Sequence, residues 1–322
     1  ENLNLKKFLC ILLSLTTLML SGCGIKNEKI RFGSAGIGGM YYTFGNAFTE
    51  LASKENDKFN FEVKSTAGSA ANIRLLSKNY IEMGIAQADL INDAYNGTGI
   101  FVSTQCSGYK AIAALYPEAC QIVVHNDSGI NSIDDLLGKK VSIGESDSGT
   151  EQTANLILQL NGLSDKLVDT LNYDYTTAAG KLQSGEIDAF FCTAGLRTTI
   201  IEELAQQCPI KFLSISDSCS KKLESAYDTY VDYTIPANTY TGQTEEIKTV
   251  AVQAVLLASN ELSDIVVESL TEFLFEHSAD LQYSVPVNLQ LDETSAVKGI
   301  SIPFHPGAVK YYKKHNIKVK SE

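Results

Sequence analysis

The chain has 322 residues, of which 44% are hydrophobic, and a formal net charge of −12 at pH 7. At roughly 150 residues per domain this length predicts two domains or lobes, and the apolar content is ordinary for a globular protein with a full core. The acidic balance excludes a nucleic-acid-binding role, because phosphate contacts need clustered cations and the only arginines are Arg31, Arg74 and Arg197.

The first 22 residues are typical of a secretory signal peptide. Lys6-Lys7 precede a thirteen-residue apolar run, Phe8 to Leu20, and small residues follow before Cys23. The run is too short for a transmembrane helix, which needs about 20 apolar residues. Leu20-Ser21-Gly22-Cys23 resembles the lipobox of bacterial lipoproteins. That resemblance implies that Cys23 is lipidated, becomes the first residue of the mature chain, and anchors it on the extracytoplasmic face of the cell membrane.

The remaining cysteines and histidines predict no metal site. The odd number of cysteines beyond Cys23 leaves at least one free thiol, and their spacing lacks the C-x-x-C pairs of zinc and redox sites. Short loops would allow a Cys106–Cys120 or a Cys208–Cys219 disulfide, whereas Cys192 lies in an apolar run typical of a core. The histidines are scattered without metal-ligand spacing: His125, His277, His305 and His315.

The mature chain alternates short β-like runs with longer helical runs, which predicts an α/β fold with mostly parallel sheets. The predicted strands are Ile30–Ala35, Phe59–Ser65, Met83–Ala86, Lys110–Leu115, Gln121–His125, Val141–Gly144, Ala189–Cys192 and Ile210–Ile215. The predicted helices are Met40–Ser53, Ala70–Lys78, Gln152–Leu160, Thr177–Gln183, Thr198–Gln207, Glu245–Ser259 and Asp264–His277.

Two turn-rich segments divide the chain, one near residues 126–134 and one near 233–241. We therefore expect a first lobe over residues 23–125 and a second lobe over 126–233. Residues 234–322 are expected to return to the first lobe and to end in a helical segment.

Three strand-to-helix junctions carry glycines and hydroxyl residues: Gly33–Tyr42, Thr66–Asn72 and Ser146–Glu151. Glycine lets the backbone approach a ligand closely, and Ser148 with Glu151 has the spacing of a capping box. Helix N-termini bind anions, and ligands of open α/β sheets lie beyond the carboxyl ends of the strands. One such junction is explained by capping alone, but three in two blocks indicate a ligand cleft between two lobes.

No motif predicts catalysis or a cofactor. The glycine run Gly36-Ile37-Gly38-Gly39 lacks the G-x-G-x-x-G spacing of dinucleotide sites, and the chain has no phosphate loop. Gly144-Glu145-Ser146-Asp147-Ser148 misses the G-x-S-x-G elbow of hydrolases. The sequence therefore favours a binding protein over an enzyme.

Several motifs together resemble one known family, the TAXI receptors of TRAP transporters. They are Gly-Ile-Gly-Gly-Met-Tyr-Tyr (36–42), Gly-Ser-Ala-Ala-Asn-Ile-Arg-Leu-Leu (68–76), Met-Gly-Ile-Ala-Gln-Ala-Asp (83–89), Ser-Gly-Thr-Glu (148–151), Ile-Pro-Ala-Asn-Thr-Tyr (235–240) and Ile-Pro-Phe-His-Pro-Gly-Ala-Val-Lys-Tyr-Tyr (302–312). The resemblance is collinear over residues 30–316. It implies a two-lobed, periplasmic-binding-protein-like fold of type II and delivery of a small carboxylate or amino acid, such as glutamate or glutamine, to a membrane permease.

The same resemblance implies a set of residues that line the cleft. These are Gly38, Gly39, Tyr41, Tyr42, Ser69, Asn72, Gln87, Ser148, Gly149 and Thr150. Hydroxyls and helix N–H groups would receive a carboxylate, an amide would bind a polar head, and tyrosines would form a flat wall. Asn72 and Gln87 also fit an alternative role in capping or core hydrogen bonds.

Arg197 is a departure from the family pattern, which usually has a proline pair where this chain has Gly195-Leu196-Arg197. A guanidinium near the cleft would bind a carboxylate with two hydrogen bonds. The alternative is a solvated arginine in the first turn of a helix. A second functional hypothesis is a sensing or surface-interaction lipoprotein that uses the same fold.

Overall fold

The computed structural model describes residues 29–57, 59–289 and 291–322. The predicted signal peptide and the predicted lipidation site at Cys23 lie outside these residues. The ten strands of the described chain are β1 (Lys29–Gly33), β2 (Asn60–Lys64), β3 (Met83–Gln87), β4 (Tyr109–His125), β5 (Lys140–Ser142), β6 (Asp169–Leu171), β7 (Ala189–Ala194), β8 (Ile210–Phe212), β9 (Tyr230–Ile235) and β10 (Ile247–Ser259).

Ten α-helices lie between and after these strands in the described chain. They are α1 (Met40–Glu55), α2 (Ser69–Ser77), α3 (Ala88–Asn96), α4 (Gly149–Leu160), α5 (Tyr175–Ser184), α6 (Thr199–Gln207), α7 (Asp217–Ala226), α8 (Asp264–Glu276), α9 (Ser278–Ser284) and α10 (Pro306–Lys314). Two short 3₁₀ helices cover Gly99–Phe101 and Ile133–Leu136.

The strands form one continuous sheet with two parallel halves. The order is β2-β1-β3-β10-β4-β7-β5-β6, while β8 pairs with β4 and β9 pairs with β10. Strands β1, β2 and β3 are parallel to one another, as are β5, β6 and β7. We call the β1–β3 half with its helices the first lobe and the β5–β9 half with its helices the second lobe.

Two long antiparallel strands, β4 and β10, run from one lobe into the other. Residues 109–116 of β4 pair with the end of β10 beside β3, and residues 119–124 of β4 pair with β7. The β4–β10 register shifts twice, once between Ala254 and Val255. Such irregularities bend and twist a strand, and Pro117 lies beside this shift, opposite Gln253. The connection between the lobes is therefore a pair of bent strands.

Apolar packing holds helices against both faces of the sheet. Phe32 on β1 and Phe44 and Phe48 on α1 are fully buried, and the rings of Phe44 and Phe48 stack with centroids 5.8 Å apart. A second, smaller cluster in the second lobe includes Val123 and Phe190. Burial of such side chains contributes about 1.5–3 kcal/mol each relative to exposure, so the sheet is a firm support for the loops at its strand ends.

The sequence prediction was wrong for Glu245–Ser259, which forms strand β10 rather than a helix. Nearly every residue from Thr249 to Ser259 is buried because both faces of this central strand are covered. A strand buried on both faces loses the alternation that identifies strands in sequence. Likewise, the predicted strands Lys110–Leu115 and Gln121–His125 are parts of the single strand β4, which continues through Pro117.

The remaining predicted strands and helices are confirmed with shifts of a few residues at their ends. Cys106, Cys120, Cys192, Cys208 and Cys219 are all free thiols, and Cys192 is a core residue as predicted. Among the helices that the structure describes, none is long and apolar enough to span a membrane.

Candidate functional site

A cavity lies between the two lobes at the carboxyl ends of their parallel strands. Its empty volume is about 540 Å³ with the open mouth included. The first lobe lines it with residues that include Gly39, Tyr41 and Ser69, and the second lobe with residues that include Gly149 and Tyr175. Glu118, on β4 where this strand passes from one lobe to the other, forms the floor.

Five helices have an N-cap residue that lines this cavity. Helices α1, α2 and α3 begin after Gly39, Gly68 and Gln87 in the first lobe. Helices α4 and α5 begin after Ser148 and Asp174 in the second lobe. Because the first turn of a helix carries free N–H groups and a partial positive charge, both walls of the cavity favour an anionic group of a ligand.

Local sequence explains why the helices start there. The Ser148 hydroxyl accepts a hydrogen bond from the Glu151 backbone N–H at 3.0 Å, while the Glu151 carboxylate accepts one from the Asp147 backbone N–H at 2.8 Å. Ser148 therefore caps α4 as the Ser148–Glu151 spacing predicts, whereas Glu151 binds the N–H of Asp147, one residue before the N-cap. Gly68 has φ +117°, a conformation that glycine adopts without steric cost.

The floor of the cavity is a buried glutamate with an incomplete set of donors. Glu118 is 3% exposed, and its Oε2 accepts a hydrogen bond of 2.7 Å from the Tyr41 hydroxyl. Among the described residues no hydrogen bond reaches its other oxygen, Oε1. Burial raises the pKa of Glu118 to about 8, although the Tyr41 hydrogen bond opposes the shift. The carboxyl group is therefore mainly protonated at pH 7.

Tyr41 joins this floor to the first-lobe wall. Its hydroxyl lies 3.2 Å from Ser69 Oγ, and Ser69 Oγ in turn accepts a hydrogen bond of 3.1 Å from the Gln87 backbone N–H. Burial raises the pKa of Tyr41 well above its usual value, and the adjacent Glu118 carboxylate raises it further. Tyr41 therefore stays a neutral donor, and its ring lines the cavity.

The second-lobe wall is ordered by a hydroxyl cluster. The oxygens of Thr150 and Tyr175 are 2.6 Å apart, and Thr150 Oγ1 accepts from the Thr193 backbone N–H at 3.1 Å. The Tyr175 hydroxyl also reaches the Thr193 carbonyl at 3.2 Å. The Thr193 hydroxyl itself is buried beside the cavity and has no nitrogen or oxygen partner.

Behind the cavity, four polar side chains join the lobes, and we call Gln87, Asp89, Thr153 and Tyr230 the interlobe layer. The Tyr230 hydroxyl donates to Asp89 Oδ2 at 2.9 Å and lies 2.8 Å from Thr153 Oγ1. The Gln87 amide donates to Asp89 Oδ1 at 3.3 Å and to Thr153 Oγ1 at 3.2 Å. Burial raises the pKa of Asp89 to about 6 despite these donors.

A second contact between the lobes lies beside Ser148, which lines the cavity. The Ala71 backbone N–H donates to the Asp147 carbonyl at 3.1 Å, and Arg74 Nε lies 3.3 Å from Asp147 Oδ2. Arg74 also lies over the ring of Phe101 at 4.8 Å. Together with the interlobe layer, these contacts hold the lobes against each other.

The structure brings seven of the ten residues implied by the family resemblance to the cavity: Gly39, Tyr41, Ser69, Gln87, Ser148, Gly149 and Thr150. Gly38 and Tyr42 adjoin this set without lining the cavity. Asn72 is fully buried, where its amide donates to the carbonyls of Ser34 and Ile85 and its oxygen accepts from Thr66. It therefore fixes the loops behind the cavity. Contact of each predicted residue with a ligand stays a prediction.

Arg197 is exposed and lies outside the residues that line the cavity. It directly precedes Thr198, which caps α6 and whose backbone N–H donates to the Tyr240 hydroxyl at 3.0 Å. Of the two predicted roles for Arg197, this position fits the solvated arginine at the start of a helix better than the partner of a solute carboxylate.

Sequence reasoning missed the acids of the site. Glu118, Glu145 and Asp174 line the cavity, whereas none of the described lining residues is a lysine, arginine or histidine. Burial raises the pKa of Glu145, and the nearby Asp174 raises it further. A glutamate inside the apolar run of β4 was the available signal, because burying a carboxylate is costly without a specific role. No group of three potential metal ligands exists among the described residues.

The sequence profile of the NMT1-like family matches residues 32–315 of this chain. A protein of Bordetella bronchiseptica RB50 is similar in structure, with a TM-score of 0.57, 15% identity, and 90% of this chain and 99% of that chain covered. PhnD1 from Prochlorococcus marinus, solved with methylphosphonate, has a TM-score of 0.52 at 13% identity, with 92% and 94% covered.

The alkanesulfonate-binding protein SsuA from Xanthomonas axonopodis pv. citri, bound to MOPS, is a further neighbour, with a TM-score of 0.50 at 12% identity and 89% and 90% covered. At these identities the structural likeness shows the fold alone. The predicted two-lobed α/β fold of solute-binding proteins is confirmed. The prediction of mostly parallel sheets is wrong, because β4 and β10 run antiparallel to every strand with which they pair.

Proposed function

Because this chain belongs to the NMT1-like family, we propose that it is a lipid-anchored receptor that captures a small carboxylate or amino acid and delivers it to a TRAP-type permease. Its fold is that of extracytoplasmic solute-binding proteins. The observation that carries the proposal is the convergence of five helix N-termini from both lobes on one cavity. This arrangement supports binding of a small anionic group without any metal or basic side chain.

The interlobe contacts support capture by closure. The hydrogen bonds from Tyr230 to Asp89 and from Gln87 to Thr153 join the lobes in this state. A solute held between the lobes shifts the open and closed populations when it binds the closed form more tightly.

The ligand is tested by native mass spectrometry of gently purified protein, followed by melting curves with amino acids and C4–C6 carboxylates. A solute that binds only the folded state stabilises it by about 2.7 kcal/mol at a hundredfold excess over Kd. We expect one class to raise Tm clearly. Folded protein that retains no solute and shows no shift with either class would contradict the proposal.

The choice of a TRAP permease rests on the motif resemblance, since structural likeness below 25% identity shows the fold alone. Measurements of solute uptake in cells that carry this receptor and a candidate TRAP permease distinguish a TRAP transporter from an ATP-driven transporter. A TRAP system stops when an ionophore collapses the ion gradient and continues after depletion of ATP. An ATP-driven system shows the opposite response.

The lipid anchor is tested at Cys23. Cys23→Ala removes the only thiol of the lipobox-like segment, so we expect the variant to leave the membrane fraction or to stay unprocessed. An unchanged mass and an unchanged membrane fraction would contradict lipidation at this residue.

A further inference from the structure

We propose that the cavity selects solutes that carry an ammonium group, and that Glu118 is the residue that receives it. This inference rests on the proposed role as a solute receptor and names the chemical class of the solute. A zwitterionic amino acid satisfies it, whereas a dicarboxylate without an amine does not.

The geometry of Glu118 is the first support. Its side chain is 97% buried, because only 3% of the residue is exposed, and it lines the cavity floor. Tyr41 satisfies Oε2, while Oε1 has no hydrogen-bond partner among the described residues. Glu118 lines the cavity, so once this carboxyl is ionised Oε1 accepts a hydrogen bond from a solute donor without displacing a protein donor.

The charge balance of the cavity is the second support. Its described lining contains Glu118, Glu145 and Asp174 and no basic side chain. Asp174 is engaged as a helix cap, since its carboxylate accepts from the Thr177 backbone N–H and hydroxyl, each at 2.8 Å. The helix N-termini favour a carboxylate of the solute, but no cationic side chain of the described lining pairs with a further carboxylate.

Thr193 on the second-lobe wall also lines the cavity and is 4% exposed. Its hydroxyl has no nitrogen or oxygen partner and interacts with the Cys120 thiol. A hydroxyl accepts a hydrogen bond from an ammonium as readily as it donates to a carboxylate. An ammonium has three donors, so beyond Glu118 it has two more to offer to oxygens of the cavity lining.

Protonation of Glu118 gives the inference a distinctive signature. The titratable groups around this carboxyl are Tyr41 on α1, Tyr116 on its own strand, Asp89 on α3, Tyr175 on α5 and Cys192 on β7, and none is a cation. Since the pKa of Glu118 is about 8 in the ligand-free protein, the group is mainly neutral at pH 7. An ammonium beside it lowers that pKa and displaces the proton into solvent.

The competing arrangement is a protonated Glu118 that donates a hydrogen bond to a carboxylate of the solute. The two arrangements differ in the sign of their pH dependence. When Glu118 receives an ammonium, binding at pH 7 releases a proton and affinity rises from pH 6 towards pH 8. When Glu118 donates to a carboxylate, affinity falls above pH 8 because the donor is lost.

Titration calorimetry with matched pairs of solutes tests the inference directly. Each pair differs in the α-amino group alone: L-glutamine and glutaramate, L-leucine and 4-methylpentanoate, and L-aspartate and succinate. For the pair that fits the cavity, we expect the amine-bearing member to bind at least about tenfold more tightly. Titrations at pH 7 in buffers of different ionisation enthalpy should show release of about one proton.

Glu118→Gln is the decisive variant, and Glu203→Gln, on the exposed surface of α6, is its matched control. We expect Glu118→Gln to lose at least about tenfold in affinity and to release no proton, and Glu203→Gln to match the wild type. Melting curves confirm that each variant folds; if Glu118→Gln does not fold, the wild-type pairs and proton counts decide alone.

The outcomes separate this inference from the proposed function. Equal binding of the deaminated members, proton uptake, or an affinity that falls above pH 8 would overturn the ammonium inference and leave the receptor function intact. Absence of binding by every solute of both series would overturn both.

Discussion

The cavity floor around Glu118 and the interlobe layer around Asp89 both bury a carboxylate, and they differ in the donors around it. Asp89 accepts from Tyr230 at one oxygen and from Gln87 at the other. Glu118 accepts from Tyr41 at one oxygen, and the described residues leave the other without a donor. The raised pKa values follow the same order, about 6 for Asp89 and about 8 for Glu118.

This difference separates a structural acid from a binding acid. A buried polar network in which every member is satisfied fixes one arrangement of its elements, and the network around Asp89 joins the two lobes. A half-satisfied acid leaves part of its hydrogen-bonding capacity for a ligand. Between the two buried acids that border the cavity and the interlobe layer, the number of donors separates the closing contact from the candidate ligand contact.

The largest effect is expected from Gly149→Ala, which removes the close approach between the lobes. A Cβ at this position would lie 1.8 Å from Gln87 Oε1 and 2.8 Å from Ser69 Oγ, both on the opposite lobe. Gln87 is buried and held by two hydrogen bonds, so it has little freedom to move. Isothermal titration should show a loss of solute affinity of at least about tenfold.

Gly180→Ala is the matched control, because Gly180 also lies in a helix and its added Cβ meets nothing within 4 Å. We expect Gly180→Ala to bind and melt as the wild type does, whereas Gly149→Ala should also melt lower, because its Cβ displaces Gln87 of the interlobe layer. Normal affinity of Gly149→Ala would show that the interlobe approach does not determine binding.

The next effect concerns pH and ligand-free stability. The folded-state pKa of Glu118, about 8, exceeds the usual 4.5, so the folded protein binds more protons between these values. The contribution of Glu118 to the free energy of unfolding is therefore fully present below about pH 4.5. It decreases as the pH rises to about 8, by up to roughly 1.4 kcal/mol per pH unit. Glu118→Gln should flatten this slope in melting curves from pH 5 to 8.5. An unchanged slope would mean that Glu118 ionises normally.

Tyr230→Phe tests the satisfied acid of the interlobe layer. It removes a donor to Asp89 and a contact with Thr153, which costs about 1.5–3 kcal/mol for a hydrogen bond to a charged group. Because the pKa of Asp89 is about 6, this acid is charged at pH 8, and chemical denaturation should show a larger loss at pH 8 than at pH 5. Equal losses at the two pH values would argue against a charged Asp89.

The smallest effect is expected from Arg197→Ala. The side chain is exposed and outside the cavity lining, so affinity should change less than about twofold, as for ordinary surface substitutions. A loss of ten- to a hundredfold, with partial rescue by Arg197→Lys, would instead place the guanidinium on the solute carboxylate.

The elements around the cavity were predictable where the signals are local. The capping pair Ser148 and Glu151 identified the start of α4, and glycine with a hydroxyl residue identified the starts of α1 and α2. These signals act within one turn of chain, so a single sequence contains them in full.

The misses depend on contacts between distant segments. Strand β10 is buried on both faces by elements from both lobes, which erased its alternation and led to the helix prediction. Glu118 gained its role from Tyr41, 77 residues away in sequence, and from burial by the second lobe. The predicted strands Lys110–Leu115 and Gln121–His125 left Glu118 in a connection between them, whereas it lies within one continuous strand.

Because β4 runs through both lobes, it also bears on the order in which a solute would contact the residues of the cavity. Glu118 lies on β4, one of the two strands that join the lobes. A rotation of the lobes about these strands would displace Glu118 least, whereas Gly149 and Glu145 beyond the second-lobe strands would travel along a longer arc. A solute would therefore contact Glu118 first, at its final position, and would contact Gly149 and Glu145 only when the lobes close.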